Sequence, residues 1–268
     1  MKTSFLYGAN IHANGIRQHY LRYGGHEQAV ILVPGITSPA ITWGFVAERL
    51  GVYFDVYVLD VRGRGLSETG DDLDYGIDAC ADDILALARE LGLDRYALIG
   101  HSMGARLAIR AATRDEGHLK AMVLVDPPVS GPGRRPYPSK LPWYVDSIRD
   151  CRRGADVETM RKYCPTWTAE QLRLRAEWLH TCNEKAVIDG FNGFHEDDIH
   201  SDLVKIDIPT LLIAAGKGDV ILPEDEREIT LLMPSIKVAR VKGAGHMIPW
   251  DDYEGFFSAF GTFLGPKL

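Results

Sequence analysis

Short apolar runs alternate with stretches of helical periodicity along most of this 268-residue chain, and that alternation narrows the fold more than any other feature. Val30-Ile31-Leu32-Val33, Tyr96-Ala97-Leu98-Ile99 and Ala121-Met122-Val123-Leu124-Val125 offer almost nothing to solvent. A strand with one wet face alternates polar and apolar residues, so runs like these must be covered on both faces. Residues 76–91 instead carry Ile77, Ala81, Ile84, Ala88 and Leu91 at helical spacing, leaving Asp82, Asp83, Arg89 and Glu90 for water. Buried strands joined by amphipathic helices form a mainly parallel sheet between helical layers.

The opening differs. Residues 4–10 and 16–23 read as an antiparallel pair turning at Asn14-Gly15. Further strands are expected at 54–60, 209–214 and 237–241, with helices from Ser102 to about Arg114 and from Tyr253 to Leu264. Between Pro127 and His200 the alternation stops. That stretch is rich in Trp, Arg and Pro, with helical segments near 142–153, 156–163 and 168–182 and no strand. The expectation is an α/β chain with a mostly parallel eight-stranded sheet. Residues 1–128 and 201–268 make its core, and residues 129–200 form a helical cap inserted after the sixth strand.

A net charge of -7 repels a polyanion and argues against nucleic acid as a partner, while leaving room for a small anion in a local basic pocket. No stretch reaches bilayer-spanning length, and no apolar leader follows Met1, so the expectation is a cytoplasmic protein with no membrane partner. Cys80, Cys151, Cys164 and Cys182 show neither CxxC nor a His-linked metal spacing. They read as free thiols, and no metal or cofactor is expected. A homo-oligomer is left open.

The chemistry begins at Gly100-His101-Ser102-Met103-Gly104, which follows an apolar strand and opens a helix. A serine on such a sharp turn presents its hydroxyl at the top of the sheet, and glycines two residues either side remove side chains that would collide with neighbouring backbone. The helix start offers free N–H groups to a developing oxyanion. Ser102 is therefore the candidate nucleophile. His246, in the glycine-rich loop Gly243-Ala244-Gly245-His246 after the last strand, is the candidate base. His101 is expected to point to the opposite side of the turn, as a packing residue.

Two carboxylates compete for the third place: Asp126, at the end of the sixth strand, and Asp219, after the seventh. Either is able to orient His246 and stabilise its protonated form. The oxyanion donors should be the backbone N–H of Met103 and that of Ile36, in the turn after Pro34-Gly35.

Pro34-Gly35, Trp43, Asp60-Val61-Arg62-Gly63-Arg64-Gly65-Leu66-Ser67, the Ser102 pentapeptide and the His246 loop together make the chain resemble the α/β-hydrolase superfamily over essentially its full length. Pro34-Gly35 departs from the His-Gly of many relatives, a change that keeps the backbone donor. Gly100 to Arg106 and Leu172-Arg173-Leu174-Arg175-Ala176-Glu177 are similar to amide hydrolases of pyridine-ring catabolism, a group serving vitamin B6 and nicotinate breakdown. That resemblance implies cofactor-free hydrolysis of a linear amide C–N bond, such as that of an N-formyl amide. In the vitamin B6 member the triad acid comes from the end of the sixth strand, which carried over favours Asp126.

The cap supplies Arg134, Arg135, Lys140, Arg149, Arg152, Arg153, Arg161, Lys162, Arg173 and Arg175 against five acids over the same stretch. A cationic cap suits a small carboxylate-bearing substrate, with Arg173, Arg175 and Arg106 as candidate contacts. An ester, enol-lactone or C–C bond hydrolase with the same triad stands as the alternative. A ligand-binding protein on this scaffold, with Ser102 incidental, is the alternative from another class.

Overall fold

Residues 3–268 are described by a computed structural model; Met1 and Lys2, where the N-terminal reading begins, lie outside the described residues. β1 (Phe5–Ala13) and β2 (Ile16–Tyr23) form the expected antiparallel pair. Asn14 and Gly15 between them have φ of 51° and 73°, the positive values a two-residue hairpin turn demands. β3 (Ala29–Val33), β4 (Asp55–Asp60), β5 (Tyr96–His101), β6 (Leu119–Val125), β7 (Thr210–Ala215) and β8 (Lys237–Val241) complete one sheet. Its order is β1-β2-β4-β3-β5-β6-β7-β8, parallel from β4 to β8.

The apolar runs behave as their composition requires. Ile31, Val33, Leu98, Leu124 and Leu212 point to one face, Val30, Leu32, Ile99, Val123 and Ile213 to the other, and each side belongs to its own buried cluster. Burying such a side chain contributes about 1.5–3 kcal/mol, which makes the sheet centre the costliest place to alter. α1 (Gly44–Leu50), α2 (Ile77–Glu90) and α3 (Met103–Ala112) lie between the early strands.

The excursion between β6 and β7 carries helices and no strand, after a non-helical stretch over 126–140. α4 (Leu141–Arg152), α5 (Val157–Arg161) and α6 (Ala169–Trp178) fall where helical segments were expected. α7 (Glu184–Glu196) was not expected, because Gly190 and Gly193 interrupt its periodicity. Its start is legible in retrospect: the Asn183 side chain accepts the Ala186 N–H as an N-cap. Gly190 has a reason to be there. A Cβ at that position would stand 3.3 Å from Met103 Sδ and 3.5 Å from Ile36 Cδ1, so α7 presses on both expected oxyanion residues. The short α8 (His200–Leu203) returns the chain to the sheet.

After β7 come α9 (Pro223–Leu232), then β8, α10 (Ile248–Asp251) and α11 (Tyr253–Phe260). Tyr137, Tyr144, Leu172 and Phe194 from the excursion join the same cluster as Ile31 and Leu98, so it shares a core with the sheet. Among the described residues no helix is long and apolar enough to cross a membrane. The four cysteines are buried and unpaired.

Candidate active site

Ser102 occupies the turn from β5 into α3 with φ 54° and ψ -119°, a conformation that costs an ordinary residue about 1–3 kcal/mol. The flanking glycines make the turn possible. A Cβ on Gly100 would lie 2.4 Å from the Gly104 carbonyl oxygen, and one on Gly104 would lie 2.0 Å from that of Val33. Both contacts are with backbone, which cannot move aside.

His246 Nε2 lies 2.9 Å from Ser102 Oγ, and its Nδ1 lies 2.7 Å from Asp126 Oδ2. The carboxylate accepts from Nδ1–H, which leaves the Nε2 lone pair to accept the serine proton. Asp126 is fully buried and held on three sides. Its N–H donates to Ile213 O, its Oδ1 accepts the Ala215 N–H at 3.0 Å, and its φ of 46° turns the side chain towards His246. Asp219 sits exposed at the rim of the same cleft and makes no hydrogen bond among the described residues.

The Ile36 and Met103 N–H groups have no acceptor among the described residues, and Met103 is the first residue of α3. His101 is a packing residue, but not on the far side of the turn. Its ring lies 5.0 Å from that of His246 and 5.2 Å from Trp43, with Nε2–H donating to the His246 carbonyl at 3.0 Å. Burial, reinforced by the neighbouring His246, pushes its pKa down to about 3. The ring therefore stays neutral beside His246.

A cavity of about 350 Å³ opens over Ser102 and His246, walled by Thr37, Tyr137, Trp143, Tyr144, Trp167 and Arg175. Of the three expected substrate arginines, only Arg175 is in it. Its guanidinium is buried between Trp143 and Trp167, 5.5 and 5.7 Å from their ring centres. It has no carboxylate partner among the described residues. Its Nε is unpaired and its contacts to Thr37 are long, at 3.5 Å.

Arg106 does something else. It is buried and donates to the carbonyls of Pro128, Ser130, Gly193 and Asp197, tying the start of the excursion to the end of α7. Those four acceptors use up the N–H groups of its two terminal nitrogens, so it braces the excursion between β6 and β7 and does not face the cavity. Arg173 is exposed and pairs with Glu177 one turn on. The cationic surplus of this segment is likewise mostly neutralised. Arg134 meets Glu228, Arg135 meets Asp225, and Arg149 and Arg152 share Glu184, acids that all lie beyond Arg175 in the chain.

Sequence reasoning missed Tyr137 and Tyr144. The Tyr137 hydroxyl lies 3.4 Å from His246 Nε2, and the Tyr144 hydroxyl donates to it at 3.3 Å. The abundance of aromatic residues in the cap was the signal. No group of three or more His, Cys, Asp or Glu among the described residues is arranged to hold a metal.

Residues 30–259 match the model of the alpha/beta hydrolase family. The chain belongs to that family. Within it, this alpha/beta hydrolase is 66% identical to an N-formylmaleamate deformylase of Pseudomonas putida, over 99% of both chains. It superposes on a crystal structure of an N-formylmaleamic acid deformylase, also from Pseudomonas putida, with a TM-score of 0.91 at 57% identity, covering 94% of this chain and 99% of that one. A 2-(acetamidomethylene)succinate hydrolase of Mesorhizobium japonicum is 25% identical over 85% of this chain and 84% of its own.

Proposed function

We propose that this alpha/beta hydrolase cleaves the formyl C–N bond of N-formylmaleamate, releasing formate and maleamate in nicotinate catabolism. The identity of 66% to an N-formylmaleamate deformylase, sustained over 99% of both chains, carries the reading. The Ser102–His246–Asp126 geometry supplies the chemistry.

His246 Nε2 takes the Ser102 proton as Oγ attacks the formyl carbon, and Asp126 stabilises the resulting imidazolium. The N–H groups of Ile36 and Met103 hold the oxyanion. As the tetrahedral intermediate collapses, the C–N electron pair goes to nitrogen and His246 returns the proton there. Water, activated by the same histidine, then releases formate from the formyl ester. The substrate is an imide, so its nitrogen leaves more readily than that of a simple amide.

Arg175 is the carboxylate anchor in this reading. A buried guanidinium with no carboxylate partner among the described residues supplies a charge-assisted, bidentate partner for the maleamate end. We assign residues 1–128 and 201–268 to the catalytic core and 129–200 to the cap that carries Arg175, in a protein of the cytoplasm. The deciding experiment is a substrate panel of N-formylmaleamate, an enol-lactone and simple esters, with products quantified. Stoichiometric formate and maleamate, with the imide the best substrate, supports the reading. Brisk lactone or ester cleavage without imide turnover overturns it.

A further inference from the structure

Among the polar groups that line the cavity, the hydroxyl of Tyr137 stands beside the catalytic histidine and is neither part of the triad nor one of the two backbone donors. It stands 3.4 Å from His246 Nε2. That nitrogen must deliver its proton to the departing amide nitrogen, so the leaving group passes beside the Tyr137 hydroxyl. The Ile36 and Met103 donors serve the other carbonyl, the one attacked.

Tyr137 is built in firmly. Its N–H donates to Nε2 of His195, whose Nδ1–H in turn donates to the Phe191 carbonyl. Its ring packs edge-on against Phe194, 5.0 Å between centres. The Tyr144 hydroxyl donates to the Tyr137 oxygen, which leaves the Tyr137 proton free to point into the cavity. Burial raises the Tyr137 pKa well above the ordinary phenol value, so it remains a donor throughout the working range.

We propose that Tyr137, oriented by Tyr144, hydrogen-bonds the second carbonyl of an imide substrate and stabilises the leaving group as the formyl C–N bond breaks. The electron pair released to nitrogen delocalises onto that carbonyl oxygen, giving an imidate-like anion. Tyr137 O–H donates to the oxygen while His246 transfers its proton to the nitrogen, and maleamate departs with its amide group neutral. A plain amide or an ester has no oxygen at this position. Tyr137 is therefore a specificity-determining catalytic residue for imides, an assignment that rests on the deformylase reading.

The test compares kcat/KM, which reports the acylation step, for N-formylmaleamate and for phenyl formate. Both substrates form the same formyl-enzyme, but only the first carries a second carbonyl on its leaving group. Tyr137→Phe keeps the ring and its packing, and thermal unfolding of the variant checks the fold. The expected result is a loss of about 100-fold on the imide, the order seen when an oxyanion donor is removed, with phenyl formate within about threefold of wild type. Tyr144→Phe should show the same selectivity with a smaller loss. Equal losses on both substrates would assign Tyr137 to positioning His246 and overturn the proposal, as would an unchanged imide rate. A wild-type enzyme that cleaves phenyl formate but not N-formylmaleamate overturns the deformylase reading, and this proposal with it.

Discussion

Asp126 Oδ2 accepts a 2.7 Å hydrogen bond from His246 Nδ1, and the same carboxylate anchors the Ala215 N–H through its other oxygen. Asp126 thus fixes the tautomer of His246 and ties the end of β6 to the end of β7. Asp219 has no such bond and is exposed. Asp126→Asn should lower kcat roughly 10³- to 10⁴-fold, as expected when the orienting acid of a triad is neutralised. Asp219→Asn should stay within a few-fold of wild type. Steady-state kinetics of the two variants decide the matter, and a large loss at Asp219 with little at Asp126 would reverse the assignment.

Arg175 and Arg106 are both buried, yet they should fail in different ways. With Arg175 as the proposed carboxylate anchor, Arg175→Gln should remove a charge-assisted contact worth about 1.5–3 kcal/mol, or roughly 10- to 150-fold in kcat/KM. The expected change is mainly in KM, and a substrate whose carboxylate is replaced by a neutral amide should lose the dependence. Arg106→Gln strands several buried carbonyls and should destabilise the fold by about 3 kcal/mol or more. Urea unfolding and kinetics run on both variants separate the two roles.

His101 gives stability a signature in acid. Its pKa is 6.5 unperturbed and about 3 when folded, because burial disfavours the charged ring. Between those values the unfolded chain binds a proton that the folded chain does not. Stability from this group is therefore fully present above about pH 6.5 and is lost as pH falls towards 3, at up to about 1.4 kcal/mol per pH unit. His101→Gln keeps a donor for the His246 carbonyl and removes the titration. Between pH 7 and pH 4.5 wild type should lose up to about 2–3 kcal/mol more than the variant. Parallel acid limbs in denaturant titrations would show that His101 protonates without penalty.

Much of the frame was legible because its signals are local. Apolar runs such as Val30–Val33 have only one way to be buried, and Gly100 and Gly104 mark a turn that no larger residue tolerates. What was lost depends on contacts remote in sequence. Helical spacing puts Arg106 one turn beyond Ser102, but nothing local says that its head meets carbonyls from Pro128 and Asp197. The cap looked cationic because Glu184, Asp225 and Glu228 were not yet opposite its arginines. α7 disappeared behind two glycines, one of which exists for its approach to Met103 and Ile36. Tyr137 gained its place only when the excursion folded back over His246. Asp126 and Asp219 follow adjacent strands, Asp126 directly after β6 and Asp219 four residues beyond β7, and the backbone at Asp126, with φ of 46°, separates them in a way composition does not reveal.

Ser102 is the centre of the account, and its removal is the most direct measurement. Ser102→Ala should lower the rate of formate release from N-formylmaleamate by several orders of magnitude, up to about 10⁶-fold, while calorimetry finds substrate binding retained. Formate release at a rate near that of wild type would contradict the account, because it would mean that the strained serine between β5 and α3 takes no part in the reaction.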